Sequence, residues 1–221
     1  MPRESRRARA ERAAALYRRL AELYPESRCS LDHGDALQLL VATVLSAQTT
    51  DAAVNRATPA LFARFRAAAD YAGASQEEME GYLRSLNFYR NKAKALIGLG
   101  RALVERHGGQ VPGELEALTR LPGVGRKTAN VVLGVAFGIS EGVVVDTHVK
   151  RIAARLGLTR EEDPEKVELD LLALLPPPER VAFTHRVIDH GRLVCRARRA
   201  CCERCGLAPL CPSAPAPYRA A

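Results

Sequence analysis

The chain of 221 residues lacks any apolar run long enough to cross a bilayer. Its longest candidate, Ala36–Leu45, contains Gln38 and Thr43 and falls well short of the roughly 20 apolar residues that a spanning helix requires. The N-terminal stretch MPRESRRARAERAAALYRR lacks the apolar centre of a secretion signal, so a cytoplasmic protein with no membrane partner is expected. Period-two alternation of polar and apolar residues persists nowhere, which argues against a sheet protein, and no segment recurs at a fixed period. Lysine is scarce, with five residues against 28 arginines. Cysteine is nearly absent outside one short segment: five of the six fall between Cys195 and Cys211. In a reducing cytosol that clustering points to metal ligation rather than to disulfides. The sixth, Cys29, is expected to be a small buried residue.

What is present is the composition of an ordinary soluble protein, 47% hydrophobic and 26% charged, with chain enough for one or two domains and a sizeable core. The net charge of +8 favours a polyanionic partner, although a merely basic surface gives the same figure.

Apolar residues recur at helical spacing in most segments. Arg3–Arg19, rich in arginine and alanine, reads either as a basic helix or as a frayed, solvated end. Asp32 or Asp35 caps a helix, DALQLLVATVLSAQ, that is apolar on nearly every side and therefore belongs at the centre of a core. Ser46, Gln48 and Asp51 follow in LSAQTTD. Thr58-Pro59 is expected to open a further short helix, with the proline at its first position. Ser75 and Glu78 form a capping box before Met79, Tyr82, Leu83 and Leu86. After a break in SLNFYRNKAKAL, a stripe from Ala93 to Val104 runs into a stop at His107-Gly108-Gly109. Glu114–Arg120 is a short helix. Asp163-Pro164 starts another that runs through Leu175, and Glu179–His190 forms one that stops at Gly191. The proline- and alanine-rich tail from Pro212 is expected to be disordered. The whole is an all-α protein of about ten helices.

The stretch Leu121–His148, LPGVGRKTANVVLGVAFGISEGVVVDTH, carries the chemistry. Gly123 and Gly125 flank Val124 between two helical segments, and both can take φ > 0 and let other atoms approach the backbone. Such a turn at a helix start presents N–H groups to an anion, with the helix dipole behind them. The apolar helix that follows stops at Gly138. Lys127 lies in its first turn, where an amine facing the positive end of the dipole is a candidate nucleophile for a carbon centre. Asp146, delivered by a short buried run, supplies the negative charge that such chemistry needs nearby. The same residues admit plainer roles, Lys127 as a phosphate contact and Asp146 as the N-cap of a helix Thr147–Leu156.

Cys195, Cys202, Cys205 and Cys211 follow the pattern Cys-x6-Cys-x2-Cys-x5-Cys, four thiolates within 17 residues. They can close around one metal centre, zinc or iron–sulfur alike. Cys201 adjoins Cys202, and spacing alone does not choose between them. Between these cysteines lie Arg196, Arg198, Arg199 and Arg204, with Glu203 the only acid. Arginines on such a loop suit phosphate contact, or simply a solvated face.

LPGVGRKTANVV followed by VDTH resembles the helix-hairpin-helix, Gly/Pro-rich loop and catalytic aspartate of the DNA glycosylase superfamily. The lysine within the hairpin resembles the bifunctional endonuclease III family in particular, and the similarity runs from about Arg28 to Cys211. It implies a two-lobed fold: a six-helix barrel over residues 29–140 carrying the hairpin, and a lobe of residues 1–28 and 141–221 holding an iron–sulfur cluster. The cysteine spacing is similar to that family's 4Fe-4S loop, with Cys195, Cys202, Cys205 and Cys211 as ligands. The implied activity is base-excision repair by a DNA glycosylase with AP lyase activity, which removes oxidised pyrimidines from duplex DNA. It would act as a monomer on damaged bases or abasic sites, in the cytoplasm at the nucleoid. Lys127 would attack C1′ and form a Schiff base ahead of β-elimination, and Asp146 would stabilise the cationic sugar as the base leaves. DNA contacts would come from Gly123, Val124, Gly125 and Arg126 in the hairpin and from Arg196, Arg198 and Arg199. Gln48 would fill the space left by an extruded base, and Leu86-Asn87-Phe88 would wedge the opposite strand unless Leu86 and Phe88 are core. Ser46 and His148 would line the site. Two departures from the family pattern stand out. Phe88 occupies a position that is often aliphatic, and the link from Lys127 to Asp146, through Ser140-Glu141-Gly142, is one residue longer. An adenine–mismatch glycosylase shares the hairpin, aspartate and cluster but generally lacks this lysine and carries a further C-terminal domain, for which this sequence leaves no residues. A non-catalytic hairpin DNA-binding module would need neither Lys127 nor Asp146.

Overall fold

The computed structural model describes residues 4–219, and among the described residues it contains eleven α-helices and no strand. In chain order they are α1 (Arg6–Leu23), α2 (Ala36–Leu45), α3 (Asp51–Arg64), α4 (Ala68–Gly73), α5 (Gln76–Leu83), α6 (Tyr89–His107), α7 (Leu115–Thr119), α8 (Arg126–Ala136), α9 (Thr147–Arg155), α10 (Pro164–Leu172) and α11 (Arg180–Leu193). The fold is the all-α one that the sequence led us to expect. Short polar side chains set many of the helix starts. Those of Ser5, Asp35, Thr50, Ser75, Asp146 and Asp163 accept N–H bonds from the first turns of α1, α2, α3, α5, α9 and α10. Each replaces an acceptor that the first turn of a helix lacks. Asp35, not Asp32, caps α2, and no helix among the described residues is long and apolar enough to cross a membrane.

The chain divides into two units, Cys29–Ile139 and Met1–Arg28 with Ser140–Ala221. In the first, α2 is the centre: Leu39 to Leu45 are all buried, and α3, α6 and α8 pack on it. Phe65 stacks edge-on to Tyr82 and tilted to Tyr71, with centroids 5.5 and 5.1 Å away. Cys29 is half-buried against this core, and that burial pushes its thiol up. α4 and α6 approach so closely that a Cβ on Gly100 would lie 2.6 Å from the Ala72 nitrogen and 2.7 Å from the Ala68 oxygen. Pro59 does not open a helix; it lies inside α3. The Thr50 cap starts α3 earlier, and the buried stripe Val54, Thr58 and Leu61 holds it across the proline, against a cost of about 3 kcal/mol. At α5 the Ser75 hydroxyl accepts from the Glu78 N–H at 3.1 Å, while the Glu78 carboxylate pairs with Arg64 at 2.8 Å.

The second unit packs α1, α9, α10 and α11 around a core that includes Leu16, Leu20, Val149, Ile152, Leu171 and Phe183. α1 is a formed helix, not a frayed end, with Ala13, Leu16 and Leu20 buried. Arg12 fastens it by donating to the carbonyls of Leu156 and Gly157 while pairing with Glu4. Gly191 does not end α11, which continues to Leu193. Its role is steric: a Cβ there would lie 2.8 Å from Ile152 Cδ1 and 3.0 Å from both Arg151 Nη2 and His148 Cδ2. The tail after Pro212 has structure as far as it is described. Ala214 is buried, the Pro212 ring lies against Gly157, and Ala216–Tyr218 form a 3-10 turn.

Candidate active site

The hairpin joins α7 to α8 through Leu121–Gly125. Gly123 has φ +76°, and a Cβ on it would lie 3.2 Å from Ala95 Cβ and 3.4 Å from Val44 Cγ1. Backbone and packing both demand glycine there. Val124 closes the turn: its N–H donates to the Leu121 carbonyl at 3.1 Å, and its side chain is buried. The Val124 amide and side chain are therefore spent on the hairpin itself, and neither is offered outward. Gly125 differs from Gly123. Its φ of −88° suits any residue, it N-caps α8 without a side chain, and a Cβ on it would meet no atom within 4 Å. Glycine at 125 is not needed by the fold; it leaves bare backbone at the start of a helix, where an anion is favoured. Arg126 and Lys127 follow, both exposed, in the first turn of α8.

Asp146 belongs to the other unit and is half-buried. Its Oδ1 accepts from the backbone N–H groups of His148 at 2.9 Å and Val149 at 2.7 Å, so it is the N-cap of α9. Its Oδ2 lies 3.2 Å from His148 Nδ1. The cap engages one oxygen and fixes the carboxylate's direction, and the second oxygen is the one that faces the His148 ring. The longer link that precedes it is tied down within this unit. Arg180 Nη1 donates to the carbonyls of Ser140 at 2.9 Å and Glu141 at 3.4 Å, and Val143 N–H donates to Glu168 at 3.2 Å.

Gln48 and Phe88 are the non-glycine residues with positive φ among the described residues, at 53° and 56°. A left-handed backbone costs roughly 1–2 kcal/mol for such residues. Gln48 is exposed and Phe88 is 60% exposed, whereas Leu86 is 3% exposed and packs in the core of its unit. The expected wedge therefore splits: Leu86 is core, and Phe88 alone presents a surface. Gln48, Thr49, Thr50, Ser85 and Asn87 line a cavity of about 290 Å³. Ser46 ends α2, its hydroxyl donating to the Thr43 carbonyl at 2.8 Å. Nothing in the local pattern marks Lys92, yet it is buried, it donates to the Thr49 hydroxyl, and burial holds its ammonium below the usual lysine range.

Cys195, Cys201, Cys202, Cys205 and Cys211 line one cavity of about 210 Å³ together with Ile152 and Leu156. Among the described residues no three metal-binding side chains converge on a single-ion point. Burial pushes the Cys205 and Cys211 thiols up. Two residues that the sequence did not mark serve this cavity. Arg155 donates to Cys195 Sγ at 3.3 Å and to the carbonyls of Arg196 and Ala197 at 2.9 Å each, which fastens the loop. His190, buried and pushed down to about 4 by that burial, lies 2.9 Å from the Tyr24 hydroxyl and 3.6 Å from Cys205 Sγ. Arg196, Arg198, Arg199 and Arg204 are exposed, and none pairs with a carboxylate among the described residues.

Comparison with known proteins places this geometry among relatives. The model of the HhH-GPD superfamily base excision DNA repair proteins matches residues 41–177. An endonuclease III of Synechocystis sp. is 52% identical over 206 residues, covering 93% of this chain and 94% of that one. The endonuclease III of Bacillus subtilis is 42% identical over 194 residues, covering 87% and 88%. A solved structure of a trapped endonuclease III–DNA covalent intermediate, 40% identical, is similar with a TM-score of 0.87 over 92% of this chain and 96% of that one. A thermostable thymine-DNA glycosylase, 24% identical, shares the fold with a TM-score of 0.83 over 92% of this chain and 96% of that one.

Proposed function

The chain belongs to the endonuclease III family, within the HhH-GPD superfamily of base excision DNA repair proteins, and from that premise we propose that it is a bifunctional DNA glycosylase and AP lyase acting on oxidised pyrimidines in duplex DNA. The observation that carries this reading is the first turn of α8, where exposed Lys127 follows a glycine whose Cβ would meet nothing. A backbone phosphate seated on the uncapped start of α8 brings its sugar beside the Lys127 amine. The target nucleotide is extruded from the stack, with Gln48 filling the space it leaves. The base departs from C1′ with the glycosidic electron pair and takes up a proton. The Lys127 amine adds to C1′ and loses a proton, the sugar ring opens, and a Schiff base results. Removal of a 2′ proton then expels the 3′ phosphate, which cuts the strand 3′ to the lesion. Asp146 stabilises the cationic sugar and assists the proton loss from Lys127; two backbone N–H groups hold its Oδ1, and His148 Nδ1 lies 3.2 Å from its Oδ2.

Cys195, Cys202, Cys205 and Cys211 fit a 4Fe-4S cluster. The four thiols line one cavity, and four cysteine thiolates are the donor set that such a cluster takes. Those four cysteines would hold the cluster, which when bound would brace the Arg196–Arg204 loop between its first and third ligands. Protein purified without chelator is expected to carry about four irons per chain, and one zinc with no iron would contradict this. The activity is tested with a duplex containing one thymine glycol: base release with a 3′ cut is expected. Binding without base release would identify a non-catalytic hairpin module.

A further inference from the structure

Gln48 stands in the loop that leaves α2, and Phe88 in the turn that enters α6. Side chains tie these two left-handed positions together. Asn87 Nδ2 donates to the Gln48 carbonyl at 3.1 Å. Lys92 Nζ donates to the Thr49 hydroxyl, while the Lys92 backbone N–H reaches the Phe88 carbonyl at 3.1 Å. A lysine that is 6% exposed, with a neutral hydroxyl to bond, is an unfavourable device for merely joining two loops. Gln48 itself gives nothing back: its amide is exposed and has no hydrogen-bond partner among the described residues. Strain held by neighbours, at a residue whose own side chain is unspent, points to use outside the chain.

We infer that Asn87 and Lys92 are positioning residues, which hold Gln48 in its left-handed backbone and Thr49 beside it, so that the Gln48 side-chain amide is presented to the gap left by an extruded base. The inference rests on the reading of Gln48 as the residue that fills that gap. Without the lock, the loop is ordered anew at each encounter with DNA, so extrusion slows while the chemistry at Lys127 does not.

The test uses the full-length protein and a duplex with 2-aminopurine beside the lesion, whose fluorescence in stopped flow reports extrusion. Borohydride trapping on a duplex that already carries an abasic site, at saturating protein, reports the chemistry. Asn87→Ala and Lys92→Met are each expected to slow extrusion by about five- to thirtyfold, the range for residues coupled through contact, with trapping changed less than about twofold. Gln48→Ala is expected to slow extrusion as well. In the Gln48→Ala background, Asn87→Ala should then add less than about twofold, because it acts through the missing side chain. Equal slowing by Asn87→Ala with and without the Gln48 side chain overturns the inference, since the contacts would then serve only the fold. Extrusion at the wild-type rate in Gln48→Ala would overturn the reading of Gln48 and the inference with it. Should Lys92→Met fail to fold, Asn87→Ala, at an exposed position, decides the matter alone.

Discussion

Within the hairpin, Gly123 has a positive φ and neighbours within 3.4 Å of any added Cβ, whereas Gly125 has an ordinary backbone and open space before it. The sequence allows φ > 0 at both glycines, because the spacing of LPGVGR carries no information on which of them packs. Gly125→Ala is therefore expected to leave stability unchanged or to raise it by about 0.4–1 kcal/mol, the usual effect of reducing unfolded-chain freedom at a compatible site. It should nonetheless lower affinity for duplex DNA several-fold, because the new methyl stands where a phosphate must approach. Thermal unfolding and a DNA titration on the same preparation check both halves. A drop in stability with unchanged binding would mean that the glycine serves the fold. Asp146 caps α9 through Oδ1 at 2.7 and 2.9 Å, and the catalytic role proposed for it is compatible with that cap because the cap fixes the direction of Oδ2.

Among the helices, the capped starts were legible because a cap acts over three residues of chain. Asp146 and Asp163 act as their spacing predicted, Asp35 resolved an open choice at α2, and Ser75 caps α5 although the expected capping box stays half made, because the Glu78 carboxylate pairs with Arg64 instead. What was not legible depends on partners distant in sequence. Gly191 reads as a helix stop until Ile152 and His148 are seen against it, and the tail reads as disorder until Pro212 is seen against Gly157. Pro59 reads as a helix start, since the buried stripe that outweighs it emerges only with the core. Gly100 is the sharpest case, because a Cβ there meets the backbone of α4 and no side chain can move aside. Gly100→Ala gains about 1 kcal/mol of helix propensity but is expected to lose roughly 3 kcal/mol net through overpacking. A lower urea midpoint checks this, and an unchanged midpoint would mean that α4 and α6 separate freely.

Over the whole molecule, the net charge of +8 gains meaning from four exposed arginines without acidic partners on a loop that Arg155 fastens. Binding dominated by phosphate falls steeply with salt. Arg198→Ala should weaken binding to damaged and undamaged duplex alike and reduce the salt slope by roughly one contact; selective loss on damaged DNA would show that the loop reads the lesion. The cysteine cavity was legible because its thiols lie within 17 residues, whereas the clamps of Arg155, His190 and Lys92 were not, each reaching far along the chain. We propose Lys127 as the nucleophile and Asp146 as the charge that supports it. Borohydride reduction during turnover on a thymine glycol duplex tests this proposal most directly, read for wild type, Lys127→Gln and Asp146→Asn. The wild type is expected to give a covalent adduct that maps to Lys127 and is absent in Lys127→Gln. Base release is expected to slow by on the order of a hundredfold in Asp146→Asn, in which the capping ability of the side chain is kept. An adduct that survives in Lys127→Gln, or base release at the wild-type rate in Asp146→Asn, would contradict it.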